Sequence, residues 1–135
     1  MVSYIGGCLC GALRYQSNDK PIDIGYCHCR ICQRSAGSPV LTWATFSVKA
    51  FIYTQGIPSI YQSSTQYQRE FCASCGTQIA FRKVKQATTV DVTVASLDAP
   101  SILKPEYHIW TESQIPWFDT LDELPRCKDA GLDIW

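Results

Sequence analysis

Neither charge is in surplus in this 135-residue chain, which sets 12 lysines and arginines against 12 aspartates and glutamates. Without a basic field, the sequence offers nothing to coat DNA, RNA or an anionic membrane, so neither nucleic acid nor membrane is expected as a partner. Long hydrophobic runs are also missing; the apolar stretches are short and broken by glycine or polar residues, which excludes a membrane-spanning helix. The opening residues, MVSYIGGCLCG, lack the cationic segment followed by an apolar one that marks a secretory signal, so a cytoplasmic protein is expected. Repeats, low-complexity tracts and linkers are absent too, and at this length one domain covering 1–135 is expected. In their place stand 46% hydrophobic and only 18% charged residues, the balance of a folded globular chain.

Helical periodicity is scarce and strand signals dominate. Segments 12–17, 23–28, 40–46, 49–55, 59–64, 68–73, 77–83 and 88–97 are rich in Val, Ile, Thr, Tyr, Phe and Trp, and several alternate apolar with polar. Gly37, Pro39, Gly56, Pro58, Pro100 and Pro105 punctuate them. One short helix is expected over CRICQRSAG, 29–37, ended by Gly37, and another near DTLDELP, 119–125, ended by Pro125. The fold class is mainly β with short helical turns.

Eight cysteines in so short a chain require a reason, and in a reducing compartment metal binding or thiol chemistry is a better one than disulfides. Four form two separated pairs, Cys8 and Cys10 in GGCLCGA and Cys72 and Cys75 in EFCASCGTQ, each followed directly by a glycine, Gly11 or Gly76. A glycine there suits a tight turn at positive φ with backbone amides aimed at sulfur, the geometry of a zinc knuckle. Two knuckles supply four thiolates, which close a tetrahedral zinc and make it structural. Buried unpaired cysteines or a C-x-x-C redox pair are the competing readings.

The stretch CHCRIC holds a second set, Cys27, Cys29 and Cys32, and stops at three. Strand followed by a first helical turn lets the three sulfurs converge, and a three-ligand zinc with an open place is the pattern of a catalytic site. A substrate thiol suits that place. The alternatives are a second structural zinc, closed by His108 or Cys127 folding back, or by His28, whose position between two ligands points its side chain away. Three thiolates make zinc a weak Lewis acid, which favours holding a thiol as thiolate over polarising a carbonyl.

In order along the chain, GGCLCGALRY, CHCRICQRSAG, REFCASCGTQIAF, VASLDAP and EYHIWTESQIPWF resemble the family of glutathione-dependent formaldehyde-activating enzymes, which also includes centromere protein V. The resemblance implies an Mss4-like fold of small curled antiparallel sheets around zinc. It implies two zinc ions, one structural on Cys8, Cys10, Cys72 and Cys75, one catalytic on Cys27, Cys29 and Cys32. It further implies a carbon–sulfur lyase that condenses formaldehyde with glutathione to S-hydroxymethylglutathione. Bulky Tyr67 and Gln68 stand where relatives often have a glycine-containing turn, and the basic extension of the centromeric relative is missing. A pocket for anionic glutathione calls for cations, and Arg30 and Arg34 lie beside the ligands, although both also read as ordinary surface charges. His28, His108, Asp98 or a tyrosine could move the proton. Trp110 and Trp117 read as core or as pocket wall, and Asp98 in SLDAP as a turn residue capping backbone amides. The competing functions are a non-catalytic zinc-binding module and a redox-responsive thiol protein. Nothing in the sequence specifies an oligomeric state.

Overall fold

The structure is a computed structural model and describes residues 3–130. Those residues form two compact units, 3–23 with 44–103 and 24–43 with 104–130.

In the first unit, β1 (Tyr4–Gly7), β2 (Arg14–Ser17) and β5 (Phe51–Gln55) make a three-stranded antiparallel sheet. An antiparallel meander follows of β6 (Ser59–Gln62), β7 (Tyr67–Phe71), β8 (Gln78–Lys83) and β9 (Thr89–Thr93). The expected alternation is clearest in β9, where Val90 and Val92 are buried while Thr89 faces out. Tyr15, Phe46, Ile79, Val90 and Val92 are almost wholly removed from water. Each contributes roughly 1.5–3 kcal/mol of apolar burial, so the core of this unit does not depend on the cysteines alone. Tyr67 and Gln68 lie in regular strand, with Tyr67 stacked on Phe81 at 4.8 Å.

In the second unit, β3 (Asp23–Cys27) runs parallel to β10 (Tyr107–Ile109). Gly25 lies under the Tyr107 ring, where a Cβ would sit 2.0 Å from a ring carbon, so only glycine allows the two strands this approach. The helix α1 (Arg30–Ala36) begins at Cys29, whose sulfur accepts the Cys32 amide, and ends at Gly37 with φ 63°. Ser38 N–H donates to Gln33 O, completing a glycine-type helix stop. The strand β4 (Leu41–Ser47) carries the chain back to the first unit.

Several expectations need correction. β1 and β10 were not foreseen; they are short, and β1 reads YIGG, too rich in glycine to signal a strand. The strand expected over 88–97 stops at Thr93, because Ser96 donates to Thr93 O and turns 94–96 into a 3-10 helix. No helix forms over 119–125. Asp119 and Asp122 instead accept the amides of Leu121 and Leu124, and Leu121 takes φ 56°, so aspartate side chains win the amides that a helix would need. No helix among the described residues is long and apolar enough to cross a membrane.

Candidate metal centres

Both knuckles sit in hairpin loops of the first unit, one between β1 and β2 and the other between β7 and β8. The loops close in the same way: Cys8 N–H donates to Leu13 O, and Cys72 N–H donates to Thr77 O. Gly11 (φ 84°) and Gly76 (φ 80°) take the left-handed turn that the sequence predicts. Their own amides do not reach sulfur, however; they close the turns onto Cys8 O and Cys72 O, while the Leu13 amide points at Cys8 Sγ at 3.2 Å. Thr77 ties the knuckles together, with its hydroxyl 3.2 Å from Cys75 Sγ and accepting the Leu9 amide at 3.0 Å.

The sulfurs of Cys8, Cys10, Cys72 and Cys75 all lie within 4.8 Å of one another, with Cys10 Sγ 3.7 Å from Cys72 Sγ. So close a set cannot all ionise unaided. The Thr77 hydroxyl, then amides of Thr77 and Cys10, pull the Cys75 thiol down to about 5. Cys10 is pushed up to about 11, the Ala12 amide that would lower it being outweighed by Cys8 and the other two sulfurs. Four thiols competing for the same protons, three of them with amides aimed at them, are a donor set that a divalent cation would satisfy.

In the second unit Cys27, Cys29 and Cys32 form the other cluster, again with sulfurs within 4.8 Å of one another. Cys27 and Cys32 are buried and Cys29 is half-buried. The Cys27 thiol is driven strongly upward, first by Cys29, then by Cys32 and by burial. This set also fits a cation, with three donors. Neither His28, His108 nor Cys127 joins it, so none of the three residues weighed as a fourth ligand closes the set.

His28 is committed elsewhere. Its ring and that of His108 are both fully buried, and His28 Nε2 lies 2.8 Å from His108 Nδ1. His108 Nε2 is 3.1 Å from each oxygen of Asp122, and the Thr120 hydroxyl donates a short hydrogen bond to the same carboxylate. Thr120, then the Leu124 amide and His108, hold the Asp122 carboxyl well below the usual range. Burial, then the neighbouring His108, lowers His28 to about 4. Among the described residues His28 Nδ1 has no hydrogen-bond partner.

The remaining candidates separate. Arg30 is exposed and donates to Gln33 Oε1 at 2.8 Å, while Gln33 Nε2 donates to His28 O and to Ser113 O. Arg34 is exposed in the last turn of α1. Trp110 and Trp117 are not core residues: they are 40% and 76% exposed, because the turns of 110–118 carry them outward. Asp98, expected to cap backbone amides of its turn, instead pairs with both terminal nitrogens of Arg14, at 3.0 and 2.5 Å.

A family model for glutathione-dependent formaldehyde-activating enzymes matches residues 3–113, a stretch that holds both cysteine clusters. The chain belongs to this family. A relative described as an uncharacterized lyase of Schizosaccharomyces pombe is 28% identical over 81 residues, covering 60% of this chain and 58% of that protein. The match therefore spans less than two thirds of the relative's length. A crystal structure of a Rhodobacter sphaeroides protein aligns over 90% of this chain and 98% of its own at a TM-score of 0.57 and 20% identity, a likeness of fold alone. In this member of the glutathione-dependent formaldehyde-activating family, seven cysteines assemble as two donor sets.

Proposed function

We propose that this protein is a carbon–sulfur lyase that joins formaldehyde to a thiol, glutathione in the first instance, and reverses the step. The observation that carries the reading is the cluster of Cys27, Cys29 and Cys32, three convergent sulfurs joined by no fourth His, Cys, Asp or Glu donor among the described residues. Family membership and the lyase description of the yeast relative support the same class of chemistry. All-sulfur donor sets suit zinc, and we place one zinc ion on each cluster. Bound to the three-cysteine set, zinc supplies positive charge that lowers the pKa of an incoming thiol.

The chain's own residues then have limited tasks. Cys27, Cys29 and Cys32 hold the cation, and Cys29 is the least buried of the three. Arg30, fixed through Gln33, and Arg34 offer charge to the carboxylates of glutathione. The thiol S–H breaks and an S–C bond forms to formaldehyde, with the proton ending on the former carbonyl oxygen. The single-domain reading of 1–135 belongs to the same proposal, as does a cytoplasmic setting, which fits eight cysteines that all remain thiols.

The test is exchange spectroscopy on formaldehyde and glutathione at equilibrium. Enzyme-dependent acceleration of adduct exchange that Cys29→Ser abolishes is expected. No acceleration from protein holding two zinc ions would overturn the reading in favour of a zinc-binding module.

A further inference from the structure

His28 separates Cys27 from Cys29, so whatever fixes His28 fixes the spacing of two of the three sulfurs. Every group of this residue that bonds does so outside the cysteine set. Its N–H donates to Ile109 O at 3.1 Å, its C=O accepts Gln33 Nε2 at 2.8 Å, and its ring meets His108 at 2.8 Å. The ring contact has a direction. An ionised carboxylate can only accept, so His108 presents Nε2–H to Asp122, and in the neutral imidazole its Nδ1 then carries the lone pair that accepts from His28 Nε2–H. Asp122 thus dictates the tautomer of both rings across a chain of two buried imidazoles. Around it, Tyr26 stacks on His108 at 4.6 Å, and the strand 107–109 is held by His108 N–H donating to Pro125 O and Cys127 N–H donating to His108 O. Two fully buried imidazoles and a carboxylate are a costly way to pack a small unit unless their directional bonds are needed.

We propose that His108 and Asp122 are positioning residues of the three-cysteine centre, holding His28 and through it the Cys27–Cys29 spacing that sets metal affinity. The inference rests on the metal reading of that cluster. It concerns ligand geometry, and makes neither histidine a ligand. Outer residues that orient a metal ligand typically change affinity by about 10–100-fold when removed, and a loss of about 10-fold is expected here because the orientation passes through the backbone.

Wild type, Asp122→Ala, Asp122→Asn and His108→Phe would be purified without chelator and assayed for zinc per chain and for zinc affinity by chelator competition. Their cobalt-substituted forms would be recorded in the visible. The four-cysteine centre, which shares no residue with this chain of bonds, serves as the internal reference. Asp122→Ala and His108→Phe should weaken one of two bound zinc ions about 10-fold and alter one set of cobalt bands. Asp122→Asn, which keeps an acceptor oxygen, should recover most of the loss. Two unchanged affinities and an unchanged cobalt spectrum in both Asp122→Ala and His108→Phe would overturn the proposal. If His108→Phe fails to fold, Asp122→Ala decides, since Asp122 is partly exposed in a loop. A wild-type chain that holds only one metal overturns the metal reading of the cluster and this proposal together, and is thereby distinguished from indifference to Asp122.

Discussion

The four-cysteine cluster is drawn from two hairpin loops, with 62 positions between Cys10 and Cys72, whereas the three-cysteine cluster comes from one unbroken stretch. The first closes a long segment of chain, so a metal held there removes loop-closure freedom from the unfolded state and binds only once both hairpins have formed. The second closes almost nothing. Its sulfurs are already neighbours in sequence, and a metal there adds little to the order of distant parts. The support differs as well: the knuckles are buttressed by amides and the Thr77 hydroxyl aimed at sulfur, while Cys27 and Cys29 are flanked by a histidine whose bonds lead away to His108 and Asp122. On the proposed reading one sulfur cluster serves stability and the other chemistry, and the sequence separation of the ligands differs between them.

The comparison is broken most severely by Cys72→Ser. Removing one of four thiolates from the long-range cluster should cost most of its metal affinity, and the variant should be unfolded or insoluble by circular dichroism and contain less than one zinc per chain. A stable, soluble Cys72→Ser protein would contradict the structural assignment. Cys29→Ser should behave oppositely, with a melting temperature within a few degrees of wild type, one zinc fewer and no enzyme-dependent adduct exchange.

Asp91 sharpens the contrast from within the first unit. Burial, then the nearby Asp23, pushes its carboxyl up to about 6, against the pull of the Thr45 hydroxyl at 2.7 Å. The folded state binds this proton more tightly than the unfolded chain, so this residue's contribution falls as pH rises from about 4 to about 6. Asp91→Asn should stabilise the protein by about 1–3 kcal/mol at pH 7 and by nothing below about pH 4, with zinc content unchanged, as urea melts at both pH values would read. The smallest effect is expected from Arg30→Ala, which should raise KM for glutathione about 5-fold without changing kcat, as one exposed charge-assisted bond is worth about 1 kcal/mol.

The cysteine sets were legible because their signals are local: a C-x-C or C-x-x-C followed by glycine encodes its own turn, and CHCRIC leads into a helix whose stop, Gly37, is also written nearby. The meander was legible for the same reason, from alternation such as that of Val90 and Val92. The bonds from His28 to His108 and on to Asp122 were not, since the two histidines are 80 positions apart and no local pattern says that they meet. DTLDELP looked helical by composition, but its aspartates serve backbone amides and a histidine instead. Trp110 and Trp117 looked like core because aromatic residues usually are, and only the turns around them show otherwise.

The most direct test of the difference between the clusters is cadmium NMR of the cadmium-substituted protein, titrated with glutathione. Two cadmium resonances are predicted, one fixed throughout and one that shifts as the thiol binds, with the shifting signal missing in Cys29→Ser. One resonance, or two that both ignore glutathione, would contradict the account of one closed four-cysteine centre and one three-cysteine centre open to a thiol.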